Sequence, residues 1–327
     1  MGSVRSWGAN YVSIMTFSKH DASRRTVLTA LAAAATVGAP LLGQLAAASP
    51  ALATGENDVY DDNIDLYTST DNPVTEGVDY GRRYRRHDQS DGYLSKWGKY
   101  TARTAVMAIH GGQIERGTSE LCLAIAGYDP SDVTDPLKPP LLPTVHDYWM
   151  FEGMRSENNR QLHVTSVNCN DHVANVLATT HFNVLSLHGC QYDQLKIPAT
   201  MIWPQQVDPK LVVVGGLNDV FRAALVYELN TAGFPAIDAL SDKWKFLMQD
   251  YAGAIDTNIC NRTLLGKGAQ LEITEDMRVS LFGTDEANYK TRSGRIANWN
   301  NARFLGFRDA CRRAIATVES GSDQRIL

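Results

Sequence analysis

The chain has 327 residues, 44% of them apolar and 20% charged, a globular balance that excludes a wholly disordered or fibrous protein. Lys and Arg number 31 against 36 Asp and Glu, and the net charge of −5 provides no basic field to hold DNA or RNA non-specifically. Nucleic acid is therefore not an expected partner.

Residues 1–53 read as an export segment. Ser23-Arg24-Arg25-Thr26-Val27-Leu28 precedes an Ala/Leu/Val-rich run from Leu28 to Ala48, and Ala51-Leu52-Ala53 has the small-x-small form of a signal-peptidase site. The segment resembles a twin-arginine export signal, which implies the twin-arginine export machinery as a partner, a secreted protein, and folding with any metal before export. The alternative is a membrane anchor, because the run approaches the ~20 apolar residues that span a bilayer. Pro40 and the many alanines make it weakly apolar and favour cleavage, with no stable membrane anchor afterwards. Met15 is a second candidate start, since the signal is complete without residues 1–14. Removing residues 1–53 leaves 27 basic against 35 acidic residues, a charge near −8.

Residues 54–90 are rich in Asp, Asn, Thr, Gly and Arg and read as an extended leader to a folded domain at 91–327. Its cluster Arg82-Arg83-Tyr84-Arg85-Arg86 is either a grip for a polyanion or, as charge runs usually are, a solvated face. Short apolar runs at Thr104–Ile109, Leu162–Ser166, Asn183–Leu187 and Leu211–Val214 predict buried strands. A helix is predicted from Thr118 as cap to Gly127, a second from Asn218 as cap to Gly233, and a last amphipathic one over about Ala297–Val318. This alternation predicts an α/β fold, a mainly parallel or mixed central sheet flanked by helices. The five cysteines form no CxxC pair, which excludes a zinc ribbon.

His110 follows the first strong strand in His110-Gly111-Gly112-Gln113-Ile114-Glu115, and His188 follows another in Ser186-Leu187-His188-Gly189-Cys190. Ligands of open α/β sheets bind outside the carboxyl ends of strands, so both imidazoles are placed in one crevice. Gly111 and Gly112 allow a sharp turn that returns Glu115 to His110. Two imidazoles and a carboxylate are the ligand set of a catalytic zinc site that keeps a position open for water. Taken singly, each histidine reads as structural, and His163, inside a predicted strand, is left in that category. The glycines lack the Walker and dinucleotide spacings, and no Gly-x-Ser-x-Gly is present.

These residues carry a resemblance. His110-Gly111-Gly112-Gln113-Ile114-Glu115-Arg116-Gly117-Thr118-Ser119-Glu120-Leu121, Phe151-Glu152-Gly153, Leu162-His163-Val164-Thr165-Ser166, Leu187-His188-Gly189-Cys190, Val214-Gly215-Gly216-Leu217, Asn258-Ile259-Cys260-Asn261-Arg262 and Gln270-Leu271-Glu272-Ile273 stand in an order that resembles the phage-type poly-γ-glutamate hydrolase family over about residues 90–315. The resemblance implies a zinc-carboxypeptidase-like fold and a Zn2+-dependent hydrolase cutting the γ-amide bonds of an anionic γ-glutamyl polymer. It implies His110, Glu115 and His188 as metal ligands and Glu272 as general base. Two features depart from the pattern: Gln113 replaces a small residue, and the proline-rich segment Asp129–Tyr148 reads as an insertion able to reshape the cleft.

Alternation in Ala269–Thr274 puts Gln270 and Glu272 on one face, where Glu272 is either the base that takes a proton from water or an exposed edge-strand acid. A polymer with a free carboxylate on every residue requires cations, and Arg155, Arg262 and Arg278 are the candidates for its binding or for oxyanion stabilisation. Cys190 and Cys260 are read either as a disulfide joining two loops or as free buried thiols. A cell-wall amidase acting on peptidoglycan and a non-catalytic polyanion-binding protein are the competing functions.

Overall fold

The computed structural model describes residues 58–87, 103–132, 139–198, 209–283 and 285–324. The export segment and its twin arginines lie outside the described residues. Among those described, seven strands form one mixed sheet in the order β1-β3-β2-β4-β7-β5-β6: β1 (Tyr80–Arg85), β2 (Thr104–Gly112), β3 (Asp147–Gly153), β4 (Asn183–Cys190), β5 (Val212–Gly215), β6 (Ala236–Asp238) and β7 (Ala269–Thr274). Strands β3, β2, β4 and β7 run parallel, whereas β1 is antiparallel to β3 and β5 is antiparallel to β7. The expected α/β class with a mixed central sheet is what the chain adopts.

Helices cover both faces. On one, α2 (Thr118–Ala126), α4 (Asp219–Thr231), α5 (Glu275–Leu281) and α8 (Ala302–Glu319) pack on Val106, Ala108, Leu185, Leu187 and Leu271. On the other, α1 (Asn63–Thr68) and α3 (His172–Thr180) pack with Ala105, Met107, Trp149 and Phe151. Every residue of β2 is buried, as a parallel strand covered on both faces requires. Two short helices, α6 (Glu286–Lys290) and α7 (Arg292–Asn298), precede α8.

Several elements differ from the sequence expectation. Residues 162–166 form no strand: a 3-10 turn at Asn159–Leu162 leads into extended backbone. Strands β1, β3 and β6 are additions to the expected set. Much of the segment expected as a leader belongs to the fold, because Asp62 caps α1, Tyr60, Leu66 and Tyr80 are buried, and Tyr80 stacks on Phe151 with ring centroids 5.1 Å apart. The start of α2 is capped by Gly117 in the left-handed region (φ +93°), with Thr118 its first residue, while Asn218 caps α4 through the Phe221 N–H as expected. Helix α8 begins at Ala302, where the Asn301 side chain takes the Arg303 and Phe304 N–H groups.

The arginine cluster is neither a free grip nor a merely solvated face. Arg82 pairs with Glu76 and Asp171, Arg83 donates to the Asp132 carbonyl, Arg85 lies over the Tyr128 ring and Arg86 donates to Thr180. All five cysteines are free and buried. Cys190 and Cys260 belong to separate apolar clusters, which rules out the disulfide read as one option. The Asp129–Tyr148 segment enters β3 at its amino end, away from the carboxyl-end crevice it was expected to reshape; residues 133–138 lie outside the described residues.

At that amino end a second polar cluster is buried. The Asp147 carboxylate accepts the His87 backbone N–H at 2.9 Å and lies 3.2 Å from His181 Nε2. Its neighbour His146 is 4% exposed, and burial, with the charges of Arg312 and His87, pushes its imidazole down to about 3. An unfolded histidine titrates near pH 6.5, so between about 6.5 and 3 the unfolded chain binds a proton that the folded chain refuses, and stability falls as pH falls. Lowering the pH from 6.5 to 5 is expected to cost up to about 2 kcal/mol through this residue. Urea denaturation of wild type and His146→Gln checks it: the variant should lose less stability over this range, and parallel losses would exclude His146 as the cause.

Candidate metal centre

The Gly111–Gly117 turn is built by close packing. A Cβ at Gly111 would lie 2.2 Å from Ser119 Oγ, and one at Gly112, where φ is +66°, would lie 2.4 Å from the Gly153 carbonyl oxygen. The turn closes when the Glu115 N–H donates to the His110 carbonyl at 2.9 Å. This carries the carboxylate back, with Oε1 2.9 Å from His110 Nδ1 and Oε2 accepting the Gly189 N–H at 2.9 Å.

Strict alternation would send His110 to the face of Val106 and Ala108. An extra residue in β2, where the register against β3 slips between Ala108 and Gly111, turns the ring to the opposite face. There it meets His188, with the two Nδ1 atoms 3.3 Å apart. His188 Nδ1 is 3.9 Å from Glu115 Oε2. The three residues paired in the sequence reading thus converge at the carboxyl ends of adjacent parallel strands.

The outer nitrogens are also engaged. His110 Nε2–H donates to the Val164 carbonyl at 2.8 Å, which directs Nδ1 at Glu115, and His188 Nε2 lies 2.9 Å from Ser186 Oγ. Burial lowers the His188 imidazole to about 3, which keeps it neutral. Burial would also raise Glu115 and lower His110, but their mutual attraction outweighs it, so Glu115 falls and His110 rises. Two imidazole nitrogens and the two oxygens of Glu115, with pair distances of 2.9–3.9 Å and each residue fixed from behind by a hydrogen bond, are a donor set that fits a zinc ion.

His163 belongs to this cluster rather than to a core strand. Its ring stacks on His110 with centroids 3.8 Å apart, and His110, Glu115 and His163 offer ligand atoms within 4.8 Å of one another. Asp58 holds His163 Nδ1 at 2.6 Å, and the Asp58 carboxylate also accepts the Thr165 N–H. Reading residues 162–166 as a strand hid this, although the histidine lies within a motif that carries the family resemblance.

Glu272 on β7 is paired in register with His188, and Gln270 on the same face donates to its carboxylate at 3.3 Å. Burial and the Glu115 charge push Glu272 well above the usual carboxylate range, with Arg278 partly opposing. Both carboxylates line a cleft of about 310 Å³ with His110, His163 and His188.

Of the three candidate arginines, only Arg278 lines this cleft. It is 4% exposed and donates to the Ile273, Arg116 and Cys190 carbonyls and to Tyr289, so its donors are spent on the protein. Arg155 pairs with Asp79, and Arg262 donates to the Thr257, Cys169 and Val167 carbonyls and to Asn175, both outside the lining. The cleft-lining arginine missed by the sequence reading is Arg160.

The α/β domain thus gathers two histidines and a glutamate at the carboxyl ends of its central strands, with a further carboxylate on the strand beside His188, a donor set able to hold a metal ion. Comparison with known proteins places the chain among hydrolases. Residues 84–307 match the poly-gamma-glutamate hydrolase family, and the chain belongs to that family. It is 32% identical over 193 residues to the UPF0714 protein YndL of Bacillus subtilis (strain 168), covering 58% of this chain and 62% of YndL. It is 30% identical over 182 residues to the SPbeta prophage-derived UPF0714 protein YoqZ of the same strain, covering 56% of this chain and 53% of YoqZ. The match thus spans less than two thirds of these curated relatives. Among solved structures, a bacteriophage poly-gamma-glutamate hydrolase superposes with a TM-score of 0.56 at 25% identity, over 80% of this chain and 98% of the other. A zinc-free apo form of YndL gives 0.53 at 27% identity, over 79% and 98%.

Gly189 carries a testable constraint, since a Cβ there would stand 2.5 Å from Arg278 Cζ. Gly189→Ala is expected to displace a guanidinium that satisfies three carbonyls and to cost roughly 1–3 kcal/mol in urea denaturation. A change within about 0.5 kcal/mol would show that the arginine yields freely.

Proposed function

We propose that the protein is a secreted, zinc-dependent amidohydrolase that cleaves the γ-glutamyl amide bonds of poly-γ-glutamate. The observation that carries this is the convergence of His110 Nδ1, Glu115 and His188 Nδ1 beside Glu272, in a chain of the poly-gamma-glutamate hydrolase family. The structural likeness to a bacteriophage poly-gamma-glutamate hydrolase supports the substrate, and the zinc-free form of YndL supports the metal. Export rests on the Arg24-Arg25 segment of the sequence, with the twin-arginine machinery as the partner. Among the described residues no helix is long and apolar enough to cross a membrane.

His110, Glu115 and His188 would hold the ion, with His163 stacked against the first of them. Zinc bound there would supply a Lewis acid that polarises the scissile carbonyl and eases deprotonation of water. Glu272 takes a proton from the attacking water and delivers it to the leaving nitrogen. Its environment suits both proton transfers, because desolvation and the Glu115 charge make the carboxylate a stronger base and Gln270 fixes one oxygen. The Asp58 carboxylate keeps the His163 proton on Nδ1, so Nε2 faces Glu115 Oε1, 4.0 Å away, as a lone pair.

Two variants separate holding the metal from moving the proton. His110→Ala is expected to lose zinc retention, read by metal analysis after dialysis, together with hydrolysis. Glu272→Gln is expected to retain zinc and lose kcat by ~10²- to 10⁴-fold. Equal zinc loss in both would make Glu272 a ligand or a structural residue. Incubation of the wild type with poly-γ-glutamate and with peptidoglycan, each with and without a chelator, tests the substrate: chelator-sensitive release from peptidoglycan alone would replace the reading by a cell-wall amidase.

A further inference from the structure

We propose that Arg160 is the residue that receives a free α-carboxylate of the substrate, and that Asp58 occupies its guanidinium in the resting protein. The inference rests on the poly-γ-glutamate reading and adds to it a specificity-determining residue. A γ-linked glutamyl chain carries one carboxylate per residue. The cleft that must admit it is already lined by Asp58, Glu115, Asp250 and Glu272. A counter-charge more than about 8 Å away is largely screened, so the compensating cation has to stand in the cleft itself.

Among the described residues, Arg160 and Arg278 are the cations of the lining, and Arg278 has its donors engaged by protein carbonyls and the Tyr289 hydroxyl. Arg160 has the opposite character. Its side chain is 60% exposed, and the nearest partner is Asp58 Oδ1, 3.5 Å from Nη1, beyond a normal hydrogen bond. Its guanidinium makes no other ion pair or hydrogen bond among the described residues. Apart from that one long ion pair at Nη1, the fork that would take a carboxylate bidentately is unengaged.

The backbone beneath is fixed, which makes a loose head useful. Asn158 sits in the left-handed region at φ +59°, and the Asn159 side chain accepts from the Arg155 N–H and donates to the Arg155 carbonyl. The Arg160 carbonyl accepts the His163 N–H at 3.2 Å, so Arg160 and the ring stacked on His110 ride on one turn. Both also approach the same Asp58 oxygen. One carboxylate thus separates the guanidinium from the metal-binding cluster.

Asp58 can release Arg160 at little cost. His163 and the Thr165 N–H hold its two oxygens at 2.6 Å each, so exchanging Asp58 for a substrate carboxylate leaves no buried charge without a partner. The pair acts as a gate on charge: a neutral amide gains nothing from displacing Asp58, whereas a carboxylate gains the fork.

The test measures kcat and KM of the full chain and of Arg160→Gln and Arg160→Lys on poly-γ-glutamate and on its α-methyl ester, with zinc content checked in each preparation. Arg160→Gln is expected to raise KM for the acid form about tenfold, the loss of roughly one charge-assisted hydrogen-bonded pair. Arg160→Lys should recover part of it, and the penalty should shrink to within about twofold on the ester. An active wild type with unchanged KM in Arg160→Gln, or an equal penalty on acid and ester, overturns the assignment of Arg160 alone. A zinc-loaded wild type that releases nothing from poly-γ-glutamate overturns the substrate reading and this assignment with it.

Discussion

The constraint on which the candidate site depends is the compensation of one largely desolvated charge, the half-buried Glu115 carboxylate. A carboxylate taken from water is expensive unless hydrogen-bonded and paired. Glu115 meets that demand with the Gly189 N–H on one oxygen and His110 on the other, with His188 and His163 within 4.0 Å. Satisfying Glu115 draws together β2, β4 and the turn after the 159–162 segment, and the same approach points imidazole nitrogens at a common position.

Behind the Gly111–Gly117 turn stands a second compensated pair. Arg295 is fully buried, 3.0 Å from Glu120 at the start of α2, and it also donates to the Tyr289 and Gly112 carbonyls. The turn that presents Glu115 is therefore braced from α7 by a group that fills backbone acceptors. Arg278 does the same for the strand ends after His188 and Glu272. Both arginines, of which Arg278 was a sequence candidate for the substrate, are consumed in holding the loops, as guanidinium with its five donors is suited to do.

The amino end of the sheet repeats the principle with different residues. Asp147 is buried between His87, which ends the arginine-rich segment, and His181, which ends α3. Glu319 at the end of α8 accepts from Thr104 at the start of β2. Polar ties at one end of the parallel strands anchor the elements, while the opposite end carries the chemistry, so the site end need not bear the full burden of holding the sheet together.

Local pattern determined much of this protein. The β2, β4, β5 and β7 runs, the cap of α4, the amphipathic face of α8, and the positions of His110 and His188 at strand ends are all legible because strand period, capping and side-chain type act over a few residues. The pairing of Gln270 with Glu272 on one face follows from the same period. What the tertiary structure alone decided lies where local rules are overridden by packing. The extra residue in β2 turns His110 to the face that alternation denied it, and no spacing announces a bulge. His163 gained its place from a turn in a stretch that reads as a strand, and Tyr80 became the start of an edge strand because aromatic stacking with Phe151, distant in sequence, stabilises it. The arginines show the limit most plainly: Arg155, Arg160, Arg262 and Arg278 are alike in sequence chemistry, and only which carbonyls and carboxylates surround each decides that Arg160 alone among them lines the cleft with no more than one long ion pair, to Asp58.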